Sequence, residues 1–301
     1  MKVALVLSGG GARGLAHVGV LKALEKANIK IDMIVGCSFG AIIGGIYAQN
    51  PDYDALEARL NAFMHEAAFR GLGLDFLKKS NVKSDDTLRQ FANGIKDWVL
   101  MNLIAKKVAL LKAERLEKAV ESLIAPGNIE DTKIPFACNA TDLISGSPFL
   151  FAEGDMRKAI TASATIPGYF PPVSHENRML VDGAITYNLP IRHARNLGAD
   201  FIIAVDVHPI LHPELNFKNV FEVILRSKTI TSNTLSDEIQ NSAEVLIQPP
   251  IREYYWYEFD RYVEIIKAGE ETANLQLEDI KHEIKVRSRG KRRIFTRQRS
   301  K

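Results

Sequence analysis

The first fifty residues carry the feature that most limits what this chain can become. Two short apolar runs, Val3–Leu7 and residues 31–35, each lead into a glycine-rich turn. Apolar residues at helical spacing follow both turns: Leu15, Val18, Leu21 and Leu24 in residues 15–27, then residues 41–49. Strand, turn and helix twice over call for right-handed crossovers and parallel strands. Further buried strands are expected at residues 135–140 and 201–207, and a short one at 179–181. Residues 52–125 read as helix-rich, a candidate cap, and residues 220–245 and 254–269 as further helices. The fold expected is a three-layer α/β/α domain around a mostly parallel central sheet, spanning residues 1–284.

The first turn holds Gly9, Gly10, Gly11, Ala12, Arg13 and Gly14. Glycines let backbone N–H groups converge at a helix N-terminus, where they suit a phosphate or the oxyanion of acyl transfer. The spacing also satisfies the dinucleotide fingerprint G-x-G-x-x-G. That reading places an acid just past the second strand, but Asp32 stands at its beginning and Cys37-Ser38 at its end. The second turn, Gly36-Cys37-Ser38-Phe39-Gly40, is a G-x-S-x-G sequence in the strand–turn–helix setting of a nucleophile elbow. A serine merely capping a helix would look the same locally. The third feature, Asp182-Gly183-Ala184, puts a carboxylate at a strand end. Nothing local prefers Asp182 to Asp206, which also ends an apolar run.

Charge is uneven. Residues 285–301 hold nine Lys or Arg and no acid; without them 30 basic residues face 36 acidic ones. A basic, disordered tail on a mildly acidic body argues against nucleic acid as partner. Such a tail is expected to favour anionic membrane surfaces. Two cysteines, Cys37 and Cys138, give no disulfide framework and no repeated metal-ligand spacing. Residues 1–14 lack a signal-peptide h-region, and no apolar stretch is long enough to span a bilayer. A cytoplasmic protein, in peripheral contact with the inner face of the membrane, is expected.

Taken in order, these three motifs resemble the patatin-like phospholipase family, in a bacterial form. The similarity spans roughly residues 2 to 270 and includes residues 139–143, 162–168 and 188–190. Cys37 stands where that family usually has Thr, and Ser8 where plant members have Asp. The resemblance implies a patatin-like fold and a serine lipid acyl hydrolase needing neither cofactor nor metal. It assigns a dyad of nucleophile Ser38 and base Asp182, with Gly9, Gly14, Gly36, Gly40 and Gly183 as motif glycines. It also assigns an oxyanion hole to Gly10 and Gly11, with Arg13 bracing or polarising that loop.

Three other readings compete. A Ser–His–Asp esterase would use His208 or His193. A dinucleotide oxidoreductase would use the glycine loop, and a regulatory binding protein would retain the site without using it. Residues 95–124, with Trp98, Met101, Ile104, Val108 and Leu111, read as an amphipathic helix on the sheet or a lipid-facing cap. Tyr254 to Tyr257 read as core or partner-packing aromatics, with an interfacial role as the alternative, and His17 as packed or solvated.

Overall fold

The computed structural model describes residues 1–73, 107–210, 220–251 and 253–299, together with Pro213 and Phe217. The strands are β1 (Val3–Leu7), β2 (Met33–Cys37), β3 (Phe136–Asp142), β4 (Pro148–Phe151), β5 (Val173–His175), β6 (Arg178–Asp182), β7 (Phe201–Val205) and β8 (Val245–Ile247). The described helices are α1 (Ala16–Lys26), α2 (Phe39–Gln49), α3 (Tyr53–His65), α4 (Ala67–Gly71) and α5 (Ala113–Leu123). They continue with α6 (Met156–Ser163), α7 (Ile191–Asn196), α8 (Val220–Gln240) and α9 (Tyr262–Arg299). Pairing runs β5-β6-β3-β2-β1-β7-β8, with β4 also on β3. The pairs linking β3, β2, β1, β7 and β8 are all parallel.

Side chains alternate between two unequal cores, as the pleat requires. Leu5, Leu7, Ile34, Phe201 and Ile203 enter the larger one with the buried faces of α1, α2, α3, α5, α6 and α9. Ala4, Val6, Met33, Val35, Ile202 and Ala204 enter a smaller one covered by α7 and the end of α8. The result is the expected α/β/α layering around a mixed, largely parallel sheet.

Register then brings two distant strand ends together. Cys138 and Asn139 of β3 pair with β2 and β4 at once, while Ala140 and Thr141 pair with β6 and β4 at once. A strand has two edges, so β2 and β6 share one edge of β3, end to end. β2 is parallel to β3 and stops at Cys37, opposite Asn139; β6 is antiparallel and stops at Asp182, opposite Ala140. Their C-terminal ends meet head-on.

Several expected elements differ. Of the helix expected over residues 95–124, residues 95–106 fall outside the described residues, Val108 and Leu111 lie in a loop, and Ala113–Leu123 is helical. The helix expected from Tyr254 begins at Tyr262. The carbonyls of Tyr254 and Trp256 are taken by Arg13 and by the Ala12 N–H, so they are not free for helical bonds. The helix expected over residues 220–245 ends at Gln240 and gives way to β8.

Finally, the backbone is helical through residues 285–299, where the run of basic residues predicts a disordered tail. Arg287 anchors this stretch, reaching Glu244 at 2.9 Å and Glu283 one turn back at 3.5 Å. Upstream, α9 lies tight against α1 through Gly19 and Gly269. A Cβ on either would fall about 2 Å from a carbonyl of the other helix: 1.9 Å from Ile266 O for Gly19, and 2.1 Å from Ala16 O for Gly269.

Candidate active site

Ser38 stands between β2 and α2 with φ 52° and ψ −122°, a backbone conformation that non-glycine residues rarely adopt. Holding it there costs on the order of 1–3 kcal/mol, which surrounding structure must offset. The tight turn is closed by glycines: a Cβ on Gly40 would lie 2.5 Å from Leu7 O, and one on Gly36 2.6 Å from Ala41 Cα. The Ser38 N–H donates to Ser163 Oγ at 2.9 Å, and its hydroxyl donates to Asp182 Oδ2 at 2.6 Å.

Asp182 is fixed as firmly as its partner. Its Oδ1 accepts the Ala184 N–H at 2.8 Å and faces Cys37 Sγ at 3.9 Å, while its own N–H donates to Thr165 O. Gly183 packs directly on Asn139, whose amide donates to the Gly183 and Tyr187 carbonyls. Burial pushes the Asp182 carboxyl above the ordinary carboxylate value, against the opposing fields of Lys228 and the Ser38 hydroxyl. If Asp182 is the base that the resemblance implies, it must be ionised to act, and turnover should fail on acidification while ordinary surface carboxylates are still ionised. The acidic limb of kcat/KM against pH is expected above the usual carboxylate range. A limb at or below that range would show that Asp182 is not the group titrating.

The glycine loop sits beside this pair. Gly9 lies against Ser38 Cβ, and Gly14 against the Phe39 ring. The N–H groups of Ser8, Gly9 and Ala12 are spent on the carbonyls of Val205, Asn188 and Trp256. Those of Gly10 and Gly11, at the start of a short 3-10 turn, have no acceptor among the described residues. Arg13 is buried and braces the loop, donating to Val207 O at 2.9 Å and Tyr254 O at 2.7 Å. His17, expected as a packing residue, also serves the loop. Its Nε2–H donates to Ser8 O at 2.8 Å, and burial lowers its pKa to about 4, so the ring is neutral.

Neither rival histidine joins the Ser38–Asp182 pair. His208 Nδ1–H donates to Asp206 at 2.5 Å and its Nε2 faces Asp237 at 3.6 Å. Asp206 directly follows β7, on the far side of β1 from β2, and is held by His208 and Gln248. His193 packs edge-on to Tyr187 on α7. Asp32 binds the Val3 N–H at the opposite end of β2, which removes the acid a dinucleotide site would need near the glycine loop. Ser163 and Thr165 of residues 162–168, together with Asn139 and Asn188, turn out to be scaffolding; sequence offered them as flanking matches without a role.

From Ser38 an apolar cavity of about 540 Å³ runs between Gly11, Phe39, Phe63, Leu116, Tyr169 and Trp256.

Comparison with known proteins bears on the family and the fold. The chain is 30% identical over 306 residues to lysophospholipase nte1 of Aspergillus fumigatus, covering 93% of this chain and 18% of that protein. It is 36% identical over 207 residues to a putative patatin-like phospholipase domain-containing protein of Caenorhabditis elegans, covering 68% of this chain and 17% of that one. It therefore spans about a sixth of the length of these curated relatives. They are fungal and nematode proteins and lend no support to the bacterial form implied above. Among solved structures, VipD from Legionella pneumophila superposes with a TM-score of 0.50 at 13% identity, over 92% of this chain and 67% of that one, a likeness of fold. The model of the patatin-like phospholipase family matches residues 5–195, the span holding all three motifs and the Ser38–Asp182 pair, and the chain belongs to that family.

Proposed function

We propose that this chain hydrolyses carboxylic esters of acyl lipids through a Ser38–Asp182 dyad, acting as one hydrolase domain over residues 1–284. The observation that carries the proposal is the 2.6 Å contact from the Ser38 hydroxyl to Asp182 Oδ2, at the end of an apolar cavity. Ser38 Oγ attacks the ester carbonyl as Asp182 takes its proton. The Gly10 and Gly11 N–H groups receive the oxyanion. The tetrahedral intermediate then collapses: the ester C–O bond breaks, Asp182 protonates the leaving alcohol, and the acyl group stays on Ser38. Water, deprotonated by Asp182, attacks the acyl-enzyme, and the proton returns to Ser38 as the fatty acid leaves.

A lysophospholipid is the substrate class favoured here. The cavity volume falls within the range of single-ligand pockets, and the Aspergillus fumigatus relative is called a lysophospholipase. Among the described residues no helix is long and apolar enough to cross a membrane. Contact with the lipid phase is proposed as peripheral, through the basic residues of 285–301 and their attraction to anionic headgroups. The test is fatty-acid release from a panel of lysophospholipids, diacyl phospholipids and neutral acyl esters, run beside Ser38→Ala. Release by the parent and none by the variant is expected; equal release by both would overturn the proposal, as would no release from any substrate.

A further inference from the structure

The cavity has a mouth whose surroundings are unusual for a surface in water. Of its lining residues, Lys107 and Leu110 are exposed and Trp256 is half-buried, which marks where, among the described residues, the cavity meets solvent. Around them stand Val108, 73% exposed, and Tyr255, 58% exposed. The loop carrying Val108 and Leu110 is pinned to the opposite wall, Leu110 N–H to Gly168 O and Leu111 N–H to Tyr169 O. Tyr169 meets Trp256 edge-on at 5.3 Å between ring centroids; Trp256 meets Tyr257 at 5.8 Å, and Tyr257 stacks on Tyr255 at 5.4 Å. The rim is therefore a connected collar of aromatic and aliphatic side chains with a lysine beside it, held in place by backbone bonds.

We infer that this rim docks the cavity mouth onto a phospholipid surface, seating Val108, Leu110 and Tyr255 at the level of the headgroups, with Lys107 facing their phosphates. The inference rests on the acyl-ester reading above. Amphipathic rings and snorkelling lysines favour a boundary that is apolar on one side and wet on the other. Continuity supplies the occupant. An acyl chain that must reach Ser38 without crossing water has to enter from the phase in which acyl chains already lie.

The experiment uses Ser38→Ala as the parent, so binding is read without turnover, and vesicles of phosphatidylcholine with phosphatidylserine. The pair Val108→Asp and Tyr255→Asp, neither of which lines the cavity, should weaken vesicle co-sedimentation by at least about tenfold. Leu275→Asp is the control. Leu275 is 84% exposed on α9, thirteen residues or about 20 Å along the helix from Tyr262, and its variant should bind like the parent. With Ser38 restored, the Val108/Tyr255 variant should keep its turnover of a soluble short-chain ester while losing turnover on vesicles. Unchanged co-sedimentation overturns the inference. So does an equal loss with Leu275→Asp, or a change in oligomeric state without a loss of vesicle binding, which would make the rim a contact between copies. Failure of the wild-type chain to cleave any ester would sink the acyl-ester reading instead, and vesicle binding by Ser38→Ala would remain readable.

Discussion

Asp182→Asn is expected to slow ester turnover by about 10⁴-fold, the scale on which serine hydrolases lose rate when the carboxylate behind their base is removed. His208→Ala and His193→Ala should each stay within about tenfold, a barrier change near 1.4 kcal/mol. The reason is positional. The Ser38 hydroxyl donates to Asp182 directly at 2.6 Å, leaving no place for an imidazole between them. His208 is engaged by Asp206 and Asp237, and His193 by the Tyr187 ring.

The asparagine variant should also fold at least as stably as the parent. The Asp182 carboxyl is raised on folding, mainly by burial. A raised carboxyl favours the folded state below its unfolded pKa and loses that advantage as pH rises through the folded value. At neutral pH the ionised side chain is thus a cost, and Asn removes it while its side-chain oxygen can still accept the Ala184 N–H. A variant that melts no lower and has lost activity would place the loss in chemistry. A His208→Ala enzyme that folds and is as inactive as Asp182→Asn would replace the dyad with a triad.

Gly11→Ala is expected to cost about 10²–10³ in kcat, comparable to removing one oxyanion donor, with KM nearly unchanged. Gly11 has φ 57°, and a Cβ there would lie 2.4 Å from the Trp256 carbonyl oxygen, which already accepts the Ala12 N–H. Backbone cannot yield as a flexible side chain would, so the loop must shift and carry the Gly10 and Gly11 N–H groups with it. Gly10→Ala is the milder neighbour, since its Cβ would meet the Val207 Cγ2 methyl at 2.7 Å. Donors that act only once the oxyanion forms affect kcat, whereas a damaged cavity would raise KM. Steady-state kinetics on one soluble ester separates the two. A Gly11→Ala enzyme with normal kcat would remove the loop from the reaction.

Much of this arrangement is legible in the sequence because it is local. Two strand–glycine–helix units within fifty residues imply a parallel sheet, and Gly36 and Gly40 around Ser38 imply a tight elbow. The choice between Asp182 and Asp206 is not local. It depends on β6 sharing an edge of β3 with β2, a pairing between residues some forty positions apart, and only the family resemblance selects Asp182. His17 looked like one more packing residue on α1, because the carbonyl it binds lies in another element. The late start of α9 was hidden for the same reason: the carbonyls of Tyr254 and Trp256 bond to the glycine loop, some 240 residues earlier. The helix over residues 285–299 was missed because charge alone suggested a solvated tail, while its anchor, Glu244, lies beside β8.

A fluorophosphonate probe reads directly whether Ser38 is an activated nucleophile. The probe phosphonylates a serine hydroxyl only where a base accepts its proton and donors hold the new oxyanion. Protein active on an acyl ester should lose activity in step with one adduct per chain, which peptide mass spectrometry should place on Ser38. Asp182→Asn should label far more slowly. An adduct on any other serine, or active protein that takes up no probe, would contradict the dyad.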